Sequence, residues 1–174
     1  MKRTLWLIAL ALASTARAEQ ADRNKPTEVQ AARMSFDDVK QLNSFSGNVV
    51  LTRGTLTMKA QQASITQDAA GYQFARLQGT NGSPASYRQK RDGGDFWMEG
   101  DAERIEFDNK TGLVRFYNKA RLRRLQGRQL QDEVSGALIV YDTVQETFQV
   151  QNAGGDNPSA PRISTVIQPR SKTQ

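Results

Sequence analysis

The sequence has neither cysteine nor histidine. With no thiol there is no disulfide, so the fold must rest on hydrophobic burial and strand pairing. The two absences together exclude the usual zinc ligand sets, thiol nucleophiles and the Ser-His-Asp triad. No G-x-x-x-x-G-K-[ST] loop occurs either, which removes ATP hydrolysis by that route. Acidic pairs are present at Asp37-Asp38, at Glu99 with Asp101, and at Asp132-Glu133. They sit at turns and strand ends, whereas a hydrolase needs two carboxylates converging across a cleft. Neither catalysis nor any cofactor or metal is expected.

Long apolar runs are scarce as well. Leu5 to Ala13 is the one unbroken run of note, and nine residues are too few to cross a bilayer. It follows Lys2 and Arg3 and precedes Ala16-Arg17-Ala18, the order of a secretory signal peptide with an A-x-A cleavage site. Residues 1–18 are therefore expected to be a leader and the mature, exported chain to start near Glu19. The leader carries Lys2, Arg3 and Arg17 and no acid, so Lys+Arg falls from 24 to 21 against 18 Asp+Glu. A mature balance of +3 gives little support to a nucleic-acid partner, and none is expected.

What is present is strand pattern. Residues 19–26 read as a flexible polar lead-in. Residues 27–151 read as one all-β domain, and residues 152–174 as a flexible tail with a short strand-like run at 163–167. No window keeps helical spacing for three turns. Turn residues recur at Asp37-Asp38, Asp68 to Gly71, Asn81 to Pro84, Asp92 to Gly94 and Asp108 to Gly112. Between them the faces separate. Val114, Phe116, Ala120 and Leu122 point one way, and Arg115, Tyr117, Lys119, Arg121 and Arg123 the other. One dry face and one wet face mean an antiparallel sheet.

A weak repeat runs through the domain: a small residue, an apolar one three later, another two beyond. It occurs at Ala31/Met34/Phe36, Ala60/Ala63/Ile65, Ala102/Ile105/Phe107 and Gly136/Ile139/Tyr141. Asp37, Asp108 and Asp142 follow three of these at once and fit turn residues that bond their own backbone. Spacings of this size suggest stacked β units.

Two features bear on function. The run Arg121 to Arg128, RLRRLQGR, is the densest charge and reads either as a protected outer strand face or as a phosphate contact. The apolar face is bulky, and with no helix to cover it the sheet must fold onto itself. Such a sheet either closes dry or leaves a trough for an apolar ligand. The pattern alone leaves both open.

Residues 46–66, SGNVVLTRGTLTMKAQQASIT, resemble the core of the OstA-like family. The likeness extends through AARMSFDDVKQLNSF, NGSPASYRQKRDGGDFWMEGDAERIEFD, GALIVYD and RISTVIQP, and so covers nearly all of the mature chain. Its more specific elements are G-N-V-x-[VL]-x-x-G-[TS], P-A-[ST]-[FY] and E-G-x-A. The resemblance implies a twisted, slightly open antiparallel β-jelly-roll, a V-shaped trough. It further implies a periplasmic bridge protein that carries lipopolysaccharide, with the lipid A acyl chains inside. Partners would be the inner-membrane-anchored and outer-membrane translocon components of the bridge, and head-to-tail homo-oligomers are expected. Matching the family's lining places Thr27, Val29, Tyr87 and Phe107 in the trough. Strand parity adds Met34, Phe36, Leu51 and Phe116. The chain departs from the family pattern between Ala120 and Val134, where it is about five residues longer and arginine-rich. The alternatives are a membrane-anchored trough component of the same pathway and a carbohydrate-binding jelly roll. An outer-membrane barrel is disfavoured by the charged outer face of residues 115–123.

Overall fold

The computed structural model describes residue 22, residues 25–152 and residues 162–167. The signal peptide expected at residues 1–18 lies outside them, as does most of the tail. Twelve strands follow one another: β1 (Glu28–Gln30), β2 (Arg33–Asp37), β3 (Leu42–Arg53), β4 (Leu56–Gln67), β5 (Gln73–Gln78) and β6 (Ala85–Lys90), then β7 (Phe96–Ala102), β8 (Arg104–Asp108), β9 (Leu113–Gln126), β10 (Gln129–Asp142), β11 (Thr147–Gln151) and β12 (Ser164–Ile167). Every pairing between them is antiparallel.

The four long strands β3, β4, β9 and β10 each change partners halfway along, and this folds one sheet into two leaves. The first leaf runs β1-β3-β4-β6-β7-β9-β10-β12. The second runs β2-β3-β4-β5-β8-β9-β10-β11. The leaves face each other as a V. This is the twisted antiparallel jelly roll that the resemblance implied.

The sequence repeat marks the line along which the sheet folds. Ala60 pairs with Val49, Ala85 with Ala102 and Ala120 with Gly136, so small side chains meet where the leaves converge. Crossing that line shifts the inward parity by one residue. On β4, Met58 is buried before the line and Ala63 and Ile65 after it; on β10, Val134 before and Ile139 and Tyr141 after. The spacing of three in the repeat is that shift. Strands β3 and β9 keep their parity and instead insert two left-handed residues, Gly47 and Asn48 (φ 84° and 48°), and Asn118 and Lys119 (φ 62° and 49°). Each insertion plugs the gap between two short strands: the Ala32 N–H donates to Gly47 O (3.0 Å) and the Glu103 N–H to Asn118 O (3.1 Å). A side chain at Gly47 would need both the left-handed backbone and space already held by the Ala32 methyl. Beside the second insertion Lys119 pairs with Glu103 at 2.8 Å, and its hydrogen bond and charge hold the Glu103 carboxyl below its ordinary range.

The correspondence makes the domain a duplication, with β1–β6 answered by β7–β12 in the same pairing order. The aspartates of the repeat end strands as turn residues. Asp37 accepts from Lys40 N (3.0 Å), Asp108 from Lys110 N (2.9 Å) and Asp142 from Val144 N (2.8 Å).

Candidate functional site

Inward side chains form three rows that run across the leaves from edge to edge. In the second leaf, Met34, Phe45, Ala63, Leu77, Ile105, Phe116, Ile139 and Val150 stand opposite one another in turn. Next to it lies the row that begins at Phe36 and ends at Ala75, Phe107, Val114, Tyr141 and Phe148. In the first leaf the row is Val29, Leu51, Met58, Tyr87, Gly100, Leu122, Val134 and Thr165.

The middle of these rows is filled. Tyr87 meets Phe116 edge to face at 5.7 Å and Tyr141 at 6.5 Å. Aromatic pairs of this geometry add to the area they bury, and these two join the leaves. Gly100 makes this possible, because a Cβ there would lie 2.3 Å from the Phe116 ring. The Tyr87 hydroxyl donates to Gln89 Oε1 (2.6 Å), and the Gln89 amide donates to Asp22 (3.2 Å). Asp22 itself is buried and accepts from the Thr55 N–H and hydroxyl, so part of the polar lead-in is docked on the β3–β4 turn.

The ends of the rows are open. At the β11/β12 end a cavity of about 320 Å³ lies between the leaves, lined by Met98, Leu122, Val134, Thr165 and Ile167 from one and Phe148 from the other. Ion pairs Arg124–Asp132 and Arg91–Glu146 stand at its rim. At the opposite end the edge strand β2 presents Met34 (62 % exposed) and Phe36 (52 %). Along the free margin of the V, contacts between described residues cross from leaf to leaf. The Thr27 hydroxyl donates to Gln73 Oε1 at 2.8 Å. The Arg53 guanidinium lies 4.9 Å from the centre of the Phe107 ring, within cation–π reach. Arg91 pairs with Glu146.

The residues proposed from sequence divide accordingly. Leu51, Tyr87, Phe107 and Phe116 are buried, with at most 6 % exposure. Thr27, Leu51 and Phe107 share a cleft of about 10 Å³. That is room for one water at most. Val29 is half-buried on edge strand β1, and Met34 and Phe36 are exposed on β2. The cavity at the β11/β12 end went unread. Leu122 carried a signal, since it shares parity with Phe116, and the strand-like run at 163–167 marked β12, but not its pairing with β10.

The arginine-rich run is largely neutralised. Arg123 and Arg121 reach Asp101 at 2.7 and 3.8 Å, and Arg88 pairs with Glu99 while lying 4.2 Å over Trp97. Arg124 instead turns inward to Asp132. The locally longer stretch resolves into an extension of the β9–β10 hairpin around Gly127, with a register irregularity between Leu130 and Asp132. Among the described residues no group of acids could hold a metal ion, and no helix is long and apolar enough to cross a membrane.

A sheet folded into an apolar V, open at both ends, matches a known family. Residues 28–147 fit the family described as "LptA/(LptD N-terminal domain) LPS transport protein". The chain belongs to this lipopolysaccharide-transport family. Among its relatives is the lipopolysaccharide export system protein LptA of Haemophilus influenzae, 29 % identical over 96 % of this chain and 91 % of that one. LptH of Pseudomonas aeruginosa is also 29 % identical, over 92 % and 89 %. The crystal structure of that LptH, described as the LptA-homologous periplasmic component of the lipopolysaccharide transport device, superposes with a TM-score of 0.73 at 27 % identity. The superposition covers 85 % of this chain and 99 % of that one. Membership accounts for the all-antiparallel LptA-type fold.

Proposed function

We propose that this protein is a periplasmic carrier that passes lipopolysaccharide from inner to outer membrane and does so without catalysis. The acyl chains enter between the leaves at the ends of the rows, and copies join end to end so that the rows run on from one molecule to the next. Its partners are the related trough domains of the inner-membrane-anchored and outer-membrane translocon components. The observation that carries this reading is that the inward rows of the second leaf terminate on unpaired edge strands: Met34 and Phe36 on β2 at one end, Phe148 and Val150 on β11 at the other.

The duplication supplies the geometry of the joint. Within the chain β5 pairs with β8, placing Ala75 opposite Phe107 and Leu77 opposite Ile105. In the duplication β11 stands for β5 and β2 for β8. The same register between molecules sets Phe148 opposite Phe36 and Val150 opposite Met34 of the next copy. Unpaired backbone on both edges supplies the hydrogen-bonding force for such addition. The lining of Thr27, Val29, Leu51, Tyr87, Phe107 and Phe116 then requires the leaves to part, and Met34 and Phe36 are the residues already accessible.

Each buried CH₂ contributes about 0.8 kcal/mol, so an acyl chain of about a dozen carbons gains on the order of 10 kcal/mol before ordering costs. That suffices to hold a lipid anywhere along a continuous apolar row without a single strong site. The test is binding of the purified mature chain to lipopolysaccharide and to its deacylated form. Capture of the acylated form, much weakened by deacylation, is expected. Equal binding of both would overturn an acyl-chain seat, and a monomer at every concentration in sedimentation would overturn the joint.

A further inference from the structure

We infer that the outer face of the second leaf carries a separate groove for an anionic saccharide. A concavity of about 630 Å³, larger than the mouth between the leaves, lies over β2, β3, β4 and β5. Its serine, glutamine and arginine side chains are on the opposite side of the sheet from the apolar rows, of which Met34, Phe45 and Ala63 also border it. Ser35, Ser44 and Ser64 stand opposite one another across three strands, and Ser46 pairs with Arg33 in the adjacent row. Their parity is opposite to that of Phe45, Ala63 and Ile65, which face the core.

Small side chains make the hollow. Elsewhere the outer face of this leaf carries Arg104 stacked on Tyr117 at 4.1 Å, and Arg115 and Lys119, which fill the surface. Over β2–β4 the same face offers mostly hydroxymethyl groups, with Arg33 and Gln62 beside them, and the sheet's twist leaves the serines at the floor of a groove. Arg33 and Arg76 stand at its sides, and two glutamine amides complete it.

The chemistry of the lining selects the ligand. None of the four serine hydroxyls has a hydrogen-bond partner among the described residues, so each is free to donate and accept. No acid lines the groove. The Glu106 carboxylate that meets Arg76 at 3.0 Å sits one strand further on and is shared with Arg104 at 3.5 Å. Arg33 has no ion-pair partner among the described residues. Hydroxyls and amides that both donate and accept match the edges of sugars, and a guanidinium fork matches phosphate or carboxylate. A phosphorylated or carboxylated saccharide satisfies both. An acyl chain leaves both the hydroxyls and the guanidinium unmatched, so these polar side chains call for a different ligand group from the seat between the leaves, which the groove adjoins at Met34.

The test uses the mature chain with four soluble probes: the deacylated, phosphorylated saccharide of lipopolysaccharide, an oligogalacturonate, neutral maltoheptaose and inorganic phosphate. Backbone amide shifts at residues 33–35, 44–46 and 62–64 should move with an anionic saccharide and stay fixed with maltoheptaose. The phosphorylated and carboxylated probes separate the two anionic sources. Arg33→Glu should weaken binding about tenfold or more, the scale of one charge-assisted contact, and Arg33→Gln less. Arg33 is exposed, so both variants should fold, and sedimentation of the same samples separates a groove effect from altered self-association. Capture of intact, acylated lipopolysaccharide by Arg33→Glu should persist, so failure of the groove and failure of the carrier reading give different results. Binding of no anionic probe, equal binding of maltoheptaose, or shifts confined to other residues would each overturn the inference.

Discussion

The centre and the ends of the inter-leaf space are built from the same rows of residues, yet one is solid and the other open. At the centre a row meets neighbours on both sides and a facing leaf. Phe116 is fully buried there against Tyr87, and Gly100 yields it room. At the β11 end the same kind of row runs out of strands, and Phe148 remains 47 % exposed over a cavity. Apolar character alone therefore does not mark a lipid site. On the proposed function, what marks it is an inward position that lacks its next strand.

The comparison breaks most sharply at Phe116. Phe116→Ala should cost about 3–5 kcal/mol of stability, because a buried ring leaves a cavity that a sheet cannot collapse into. Phe148→Ala should change stability little. Urea unfolding of the two variants measures the difference directly. Comparable losses would mean that the end is packed as tightly as the centre.

A charge sharpens the same contrast. Phe107→Asp removes a buried ring and places a carboxylate beside Leu51 and Ile65, with Arg53 as its one nearby cation among the cleft's residues, and should destabilise the domain strongly. Phe148→Asp should leave the fold intact, while lipopolysaccharide capture drops about tenfold or more through lost apolar contact. Circular dichroism with a lipid-capture assay on both variants reads the two effects separately. Unimpaired capture by folded Phe148→Asp would remove the β11 end from the lipid path.

The sequence carried the centre better than the ends. Val114, Phe116, Ala120 and Leu122 declared one face because β9 inserts two residues, Asn118 and Lys119, and so keeps its parity. The repeat announced four equivalent crossings, although not that each was a shift of parity at a fold line. Hidden were all features that depend on which strand is missing a neighbour. The exposure of Met34 and Phe36 follows from β2 being an edge, and the cavity under Ile167 follows from β12 pairing with β10, which precedes it by more than a strand in sequence. Neither leaves a local signature. The contacts across the margin, such as Thr27 with Gln73, join residues far apart in sequence and chosen by geometry.

Those margin contacts offer a milder perturbation. Thr27→Val keeps the shape but removes the hydroxyl that donates to Gln73. Losing that one hydrogen bond should cost on the order of 1 kcal/mol. If the leaves part to admit acyl chains, the variant should load lipid faster than the parent. Stopped-flow transfer of a fluorescent lipopolysaccharide compares it with Phe148→Ala, whose margin is intact. Identical loading rates would place entry at the ends alone.

The smallest effect belongs to a turn that lies outside both the centre and the open ends. Burial works to raise the Asp108 pKa, but hydrogen bonds from the Thr111 hydroxyl and N–H and from the Lys110 N–H outweigh it. With the nearby Arg115 charge they hold the carboxyl below its ordinary 3.8. A carboxyl more acidic in the folded than in the unfolded chain binds fewer protons when folded. Its stabilisation is therefore complete above the unfolded value and declines as pH falls through the folded one. Asp108→Asn keeps an acceptor for Lys110 N and removes only the charge. The variant should be slightly less stable than the parent at pH 7, with the gap closing below about pH 3.8. Denaturant midpoints taken from pH 7 to pH 2 follow the gap, and one that stayed constant to the lowest pH would assign the turn's stability to shape alone. Lipid capture at pH 7 should be unchanged, because this turn closes a strand at the margin of the second leaf and leaves both the packed centre and the β11 mouth as they are.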